Sequence, residues 1–244
     1  MRNLRLTVQY DGTDYCGFQR QPDVPTIQAV LEDRLSAQLG EPIKVAAASR
    51  TDAGVHALGQ VVSFTSETTV PIERFCAAAN SVLPDDIVVV DAQEAPGTFH
   101  ARFSARGKRY RYAIWNMPTC PPMLRRYVWD YPRPLDIEAM REGAKHLVGE
   151  HDFASFALSG TDTDNTVRHL WRLVCWRRGS FVLLTIEGNG FLRGMCRSIV
   201  GTLVEIGRGK EPPESAAAAL QARNRDAAGP TAPAKGLCLM QVKY

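Results

Sequence analysis

Leu4, Leu6, Val8 and Tyr10 alternate with Arg5, Thr7 and Gln9 near the start of the chain, the two-residue period of a strand with one buried face. A longer period follows. Ile27, Val30, Leu31, Leu35 and Leu39 form a helical stripe, with Thr26 placed to cap its start and Gly40 to stop it. Strands are predicted around 43–49 and 60–66, then a helix at 71–81 opened by Pro71 and striped by Ile72, Phe75, Cys76 and Ala79. Ile87-Val88-Val89-Val90 closes the series as a strand. The resulting order, β-α-β-β-α-β, constrains the fold more than any other feature, because it is that of a ferredoxin-like split motif.

The order recurs after Gln93-Glu94-Ala95-Pro96-Gly97, without visible sequence identity between the halves. A strand is predicted at 103–115 and a helix at 136–148, with Ile137, Met140, Ala144 and Leu147 on its face. Strands near 169–177 and 180–187, helices at 191–206 and 213–225, and a strand at 236–243 complete it. The expectation is an α+β protein of two ferredoxin-like halves, residues 1–95 and 96–244. The sheets would be mostly antiparallel, with an active-site cleft between the halves. A length of 244 residues allows one large domain or two modest ones, and 45% hydrophobic residues are ample for a core.

The formal charge is only +3, so composition alone does not announce nucleic acid. Locally the balance differs: Arg102, Arg106, Lys108, Arg109 and Arg111 fall within ten residues with no acid between them. Six cysteines at 16, 76, 120, 175, 196 and 238 form no C-x-x-C pair, which argues against a zinc site and for buried free thiols in a reducing compartment. Met1-Arg2-Asn3-Leu4 leads straight into the first strand with no secretory h-region, and no apolar run approaches a membrane span. A cytoplasmic protein is expected.

Arg50-Thr51-Asp52-Ala53-Gly54-Val55-His56 lies between Val45-Ala46-Ala47-Ala48 and Val61-Val62-Ser63-Phe64, so it reads as a tight loop joining two strands. Turn chemistry explains Asp and Gly in such a loop. The charges suggest more: a carboxylate two residues from an Arg is held ionised, and a fixed carboxylate can serve as nucleophile or acid–base group. Tyr110 and Tyr112 share one face of their strand, with Arg109 and Arg111 on the other, an arrangement that a core aromatic pair would also give. Arg193 and Arg197, four apart in the helix predicted at 191–206, are expected on one face, either solvated or meeting an anion. His56 and His100 lack metal-ligand spacing and are read as structural or RNA-positioning.

Three further patterns fall short of the motifs they approach. Gly188-Asn189-Gly190-Phe191-Leu192-Arg193-Gly194 is one residue off the dinucleotide fingerprint, and Gly207-Arg208-Gly209-Lys210 lacks the full phosphate-loop spacing. Asp162-Thr163-Asp164-Asn165 begins like a calcium loop, but its twelfth position is Leu173 rather than Glu.

Read along its length, the chain resembles the tRNA pseudouridine synthase A family. The resemblance rests on the Arg50–His56 loop and on Tyr10-Asp11-Gly12 with Tyr15-Cys16-Gly17-Phe18-Gln19-Arg20-Gln21. It extends through Asn80–Ile87, Phe99-His100-Ala101-Arg102-Phe103-Ser104-Ala105, Lys108–Tyr112, Asp152-Phe153-Ala154-Ser155-Phe156, Thr166-Val167-Arg168, Phe191–Gly201, Thr231-Ala232-Pro233, Gly236-Leu237 and Val242-Lys243-Tyr244. Ser49, Phe18 and Cys196 stand where Gly, Trp and Val are common, and none carries the expected chemistry.

The resemblance implies an isomerase that converts uridine to pseudouridine at positions 38, 39 and 40 of the tRNA anticodon stem-loop. It needs no metal and no nucleotide or other cofactor, has no membrane association, and acts as a homodimer. It implies Asp52 as the catalytic carboxylate, Tyr110 stacking on the target uracil, Arg50 holding the nucleotide out of its stack, and Arg197 pairing with the carboxylate. Arg106, Lys108, Arg111 and Arg193 are the expected RNA contacts, Arg193 through the backbone at most. Two readings from other classes compete with this one: a non-catalytic RNA-binding protein of the same fold, and a cofactor enzyme using the glycines at 188–194.

Overall fold

A computed structural model describes residues 1–160 and 165–244. The chain is mixed α+β with mostly antiparallel strands, and forms two compact units. The first contains Met1–Arg106 and Leu239–Tyr244, the second Gly107–Cys238.

The first unit runs β1 (Arg2–Tyr10), α1 (Ile27–Leu39), β2 (Ala46–Ala47), β3 (His56–Ser66), α2 (Ile72–Asn80) and β4 (Ile87–Ala95). Its strand order is β4-β1-β3-β2 with every neighbour antiparallel, as the split motif requires. Leu4, Leu6 and Val8 are fully buried on one face of β1, and Ile27, Leu31 and Leu35 of α1 are likewise buried. Thr26 caps α1 by accepting from the Ala29 amide, and Gly40 closes it. Asn80 ties α2 to β4 by donating to the Val89 carbonyl (2.9 Å) and accepting from its amide (2.8 Å).

β2 is far shorter than the predicted 43–49. The backbone there is taken by α1 instead of β3: the Ile43 amide donates to Ser36 Oγ, the Val45 amide to Glu32 Oε1, and Gln28 donates to the Val45 carbonyl. β3 in turn begins four residues earlier than predicted, directly after the Arg50–Val55 loop.

The second unit runs β5 (Gly107–Trp115), β6 (Trp129–Asp130), α3 (Ile137–Lys145), β7 (Gly149–Asp152), β8 (Val167–Arg178), β9 (Phe181–Gly188), α4 (Met195–Gly207), α5 (Ser215–Ala222) and β10 (Leu237–Lys243). β10 begins in this unit, and its residues from Leu239 onward belong to the first. β5, β9, β8 and β7 are successive antiparallel neighbours, and β6 adds to β5 in parallel. α4 is buried along nearly its whole length.

β5 starts at Gly107 rather than 103 because His100–Ser104 forms its own turn, with the Ser104 amide on the His100 carbonyl (2.9 Å). The short strands β6 and β7 were not anticipated. Nor was the 3₁₀ turn Ala154–Phe156, which buries Phe153 and Phe156 completely. All six cysteines are free thiols. Cys120, Cys175 and Cys196 are buried as expected, Cys76 and Cys238 half-buried, and Cys16 exposed. Burial pushes the Cys175 thiol up to about 12. No helix of the described residues is long and apolar enough to cross a membrane.

Candidate active site

In the first unit, the loop between β2 and β3 is held from both ends and from one side. At its start, the Ala48 amide donates to the Val61 carbonyl (2.8 Å), and Gln60 bonds both ways with Ser49, accepting from its amide (3.2 Å) and donating to its carbonyl (2.7 Å). Buried Thr51 places its hydroxyl 2.8 Å from the Tyr10 hydroxyl, and its carbonyl accepts from Phe18. At its end, the Val55 amide donates to the Asp52 carbonyl (3.1 Å), closing a four-residue turn with Gly54 third at φ +75°. That position of a type II turn demands a positive φ, which glycine adopts without strain. The Gly54 amide donates to Tyr15, and His56 Nδ1 accepts from the Gly12 amide (3.1 Å). His56 is thus buried and tied to the loop after β1.

The turn's own hydrogen bond uses the Asp52 backbone carbonyl. Asp52 is half-buried at the turn and Arg50 is exposed beside it. A carboxylate on so tightly fixed a backbone has its attachment point placed before a substrate arrives, which helps the preorganisation a nucleophile or acid–base group needs.

In the second unit, Tyr110 on β5 is buried and packs edge-on against Phe191, with ring centroids 5.1 Å apart. Tyr112, on the same face, is fully buried; its hydroxyl donates to the Pro233 carbonyl (2.7 Å), and burial pushes its phenol far up. Alternation therefore places the residues as predicted, with Tyr112 in the core. Arg197, half-buried on α4, donates from Nε to the Ala232 carbonyl (2.7 Å), and the Ala232 amide donates back to the Arg197 carbonyl (3.1 Å). A Cβ on Gly201, one turn further along α4, would lie 1.6 Å from the Pro230 carbonyl oxygen, so only glycine permits this helix to meet the 230–233 backbone.

The expectation that Arg193 and Arg197 share a helix face is corrected. α4 begins at Met195 because Gly194 takes φ +69°, a left-handed conformation outside the helix. Arg193 lies before that break, exposed, and donates to the Ser159 carbonyl (3.1 Å).

The basic cluster is also divided. Arg106 belongs to the first unit, Lys108 and Arg111 to the second, and alternation sets Lys108 and Arg111 on opposite faces of β5. Arg109 is bound to buried Glu187 on β9 at 2.6 Å, its direct cross-strand partner. Of the near-miss motifs, Arg208 and Lys210 form ion pairs with Glu205 at 3.3 and 2.9 Å. Asp162, Thr163 and Asp164 of the calcium-like run lie outside the described residues.

The sequence does not mark the supports of the Asp52 loop as such: Gln60, Tyr10 and Thr51. Gln60 did carry a signal, as a fully buried amide at the edge of an apolar strand has to find partners.

A carboxylate on so firmly held a turn is the kind of group that acid–base or nucleophilic enzymes use. A family model described as tRNA pseudouridine synthase matches residues 6–104 and 144–244. The proteins named tRNA pseudouridine synthase A from Geotalea uraniireducens (strain Rf4) and Thermoanaerobacter sp. (strain X514) are each 44% identical to this chain over 244 residues, covering 100% of both chains. That from Moorella thermoacetica is 46% identical over 243 residues, covering 99% of each. The chain belongs to the tRNA pseudouridine synthase family, and with it to the isomerases that form pseudouridine.

Proposed function

We propose that this protein isomerises uridine to pseudouridine at positions 38, 39 and 40 of the tRNA anticodon stem-loop, acting in the cytoplasm as a homodimer and without a cofactor. The observation that carries this reading is the Asp52 turn, fixed by Thr51, Gln60 and the Val55 amide, in a chain matched end to end by proteins named tRNA pseudouridine synthase A.

The reaction breaks the bond between the sugar C1′ and uracil N1, then joins C1′ to uracil C5. C5 loses a proton and N1 gains one, so atoms and electrons balance with no oxidant, reductant or energy donor. Asp52 is the nucleophile or acid–base group. Tyr110 stacks on the target uracil with its hydroxyl positioned for a proton transfer. Arg50 holds the nucleotide out of its stack, and Arg197 pairs with the carboxylate. Incubation with an unmodified tRNA transcript, followed by mapping of pseudouridine, tests the reading. Product confined to positions 38–40 is expected. Product elsewhere overturns the site assignment, and no product overturns the activity.

A further inference from the structure

Phe103 is 77% exposed, more than any other exposed aromatic side chain among the described residues, and it sits on a turn held by several hydrogen bonds. His100 Nδ1 accepts from the Arg102 amide (3.1 Å), the His100 amide donates to Ser104 Oγ (3.1 Å), and the Ser104 amide donates to the His100 carbonyl (2.9 Å). Ala101, at the centre, is fully buried; its amide donates to Ser63 Oγ on β3 (3.0 Å), and its carbonyl accepts from the Tyr244 hydroxyl (2.9 Å). Beneath the turn the rings of Phe99 and Tyr244 stand 4.9 Å apart, with the Arg5 guanidinium against both.

On this base the Phe103 ring leans against the His100 imidazole, centroids 4.4 Å apart at 34°, with the Arg102 guanidinium 5.7 Å from its centre. Exposed single aromatics are ordinary on protein surfaces. One carried on a five-residue hydrogen-bonded turn, with the His100 ring against it, has less freedom to lose on binding than one on a loose loop. Its surroundings select the partner. Arg102 and Arg106 are exposed on either side, and the chain contains no carboxylate between Glu94 and Asp130. A flat exposed ring with a guanidinium against it suits a nucleic-acid base and its phosphates better than an apolar protein surface.

We propose that the His100–Ser104 turn is a second RNA contact, apart from the uracil pocket, at which Phe103 stacks on an unpaired base of the tRNA and Arg102 meets the adjoining phosphate. It rests on the reading of tRNA as substrate, and adds a place where the substrate is held.

The test is the affinity of the full-length protein for a fluorescently labelled, unmodified tRNA transcript, measured by anisotropy over a range of salt concentrations. Phe103→Ala and Phe103→Leu should each weaken binding about tenfold, the loss expected for one stacked base. The log–log salt slope and the turnover at saturating tRNA should not change, and Phe103→Trp should bind within about threefold of wild type. Arg102→Ala should reduce the salt slope by about one. Affinity of Phe103→Ala within twofold of wild type overturns the proposal, as does Phe103→Leu binding as well as wild type. A lowered melting temperature in both variants would make the ring a packing residue instead, and a smaller mass by light scattering would place it against a second copy of the chain. Pseudouridine mapping with the wild-type protein reads the isomerase assignment separately. If that fails, the binding comparison still stands; if wild type is active and Phe103→Ala is unaffected, the stacking contact alone is lost.

Discussion

Replacing the carboxylate of Asp52 by an amide changes its chemistry and almost nothing else. The Asp52–Val55 turn is closed by the Asp52 backbone carbonyl, which an Asn retains. Asp52→Asn should therefore alter stability only through the lost charge, by about 1 kcal/mol or less. Turnover should fall by about three orders of magnitude or more, because the amide can neither attack nor accept a proton. Thermal melting and a single-turnover assay check both halves, and turnover within about tenfold of wild type removes Asp52 from its role. Tyr110→Phe preserves the edge-on contact with Phe191 and removes only the hydroxyl. A fall in turnover of about a hundredfold or more is expected if that hydroxyl moves a proton. Tyr110→Leu should lose the stacked uracil as well, together with about 1 kcal/mol of ring packing. Full activity in Phe with a loss of stability alone in Leu would make Tyr110 a core residue. Much of this was legible beforehand: the turn residues marked the Asp52 loop, and period-two alternation placed Tyr110 and Tyr112 together. The supports were not, since Thr51 and Gln60 act through partners at Tyr10 and Ser49, distant or unmarked in sequence.

Among the elements, those with local signals at both ends were the most legible. α1 runs from its Thr26 cap to Gly40 as predicted, because capping is decided within a few residues. β2 failed for a non-local reason, its backbone being captured by Ser36, Glu32 and Gln28 of the preceding helix. α4 was predicted one turn too long because hydrophobic periodicity does not register a single glycine at positive φ.

The fit of α4 on the 230–233 segment gives a direct test. Gly201→Ala has to push the two backbones apart, at a cost of about 2–3 kcal/mol or more for overpacking. Because Arg197 is bonded to Ala232, turnover should fall together with stability. A variant that melts normally would show that the helix and segment tolerate separation. A second test concerns the 3₁₀ turn after β7. Asp152 is held below the usual carboxylate range, first by Thr166, with help from the Ala154 amide and Arg223. A carboxyl depressed in the folded state stabilises the fold above its unfolded pKa of about 3.9. That contribution is lost as pH falls through the lower folded value. Asp152→Ala should thus cost about 2 kcal/mol at neutral pH. The difference from wild type should shrink below about pH 4, as denaturant titrations at both pH values would record. An equal loss at both would assign the effect to packing.

For the molecule as a whole, charge is the property that decides how it meets tRNA. Binding should weaken steeply with added salt, as phosphate contacts release counterions. Replacing Arg106, Lys108 and Arg111 together by Ala should flatten the log–log slope, whereas Arg109→Ala should not, since Glu187 already neutralises that guanidinium. An unchanged slope in the triple variant would move the cluster off the RNA. The sequence showed five cations in ten residues but could not show that one is spent on a strand neighbour 78 positions later.

The path of β10 bears on synthesis. The first unit needs Leu239–Tyr244, whose backbone at Met240 packs on Gly59 of β3, yet Gly107–Cys238 is translated in between. At about 5–20 residues per second that interval is on the order of ten seconds. Throughout it, the nascent first unit carries its Asp52 turn while the flank of β3 that will receive the closing strand stays open. An open strand flank recruits other strands, so the growing chain is most exposed to mispairing, and most in need of a chaperone, while the ribosome is still translating the second unit.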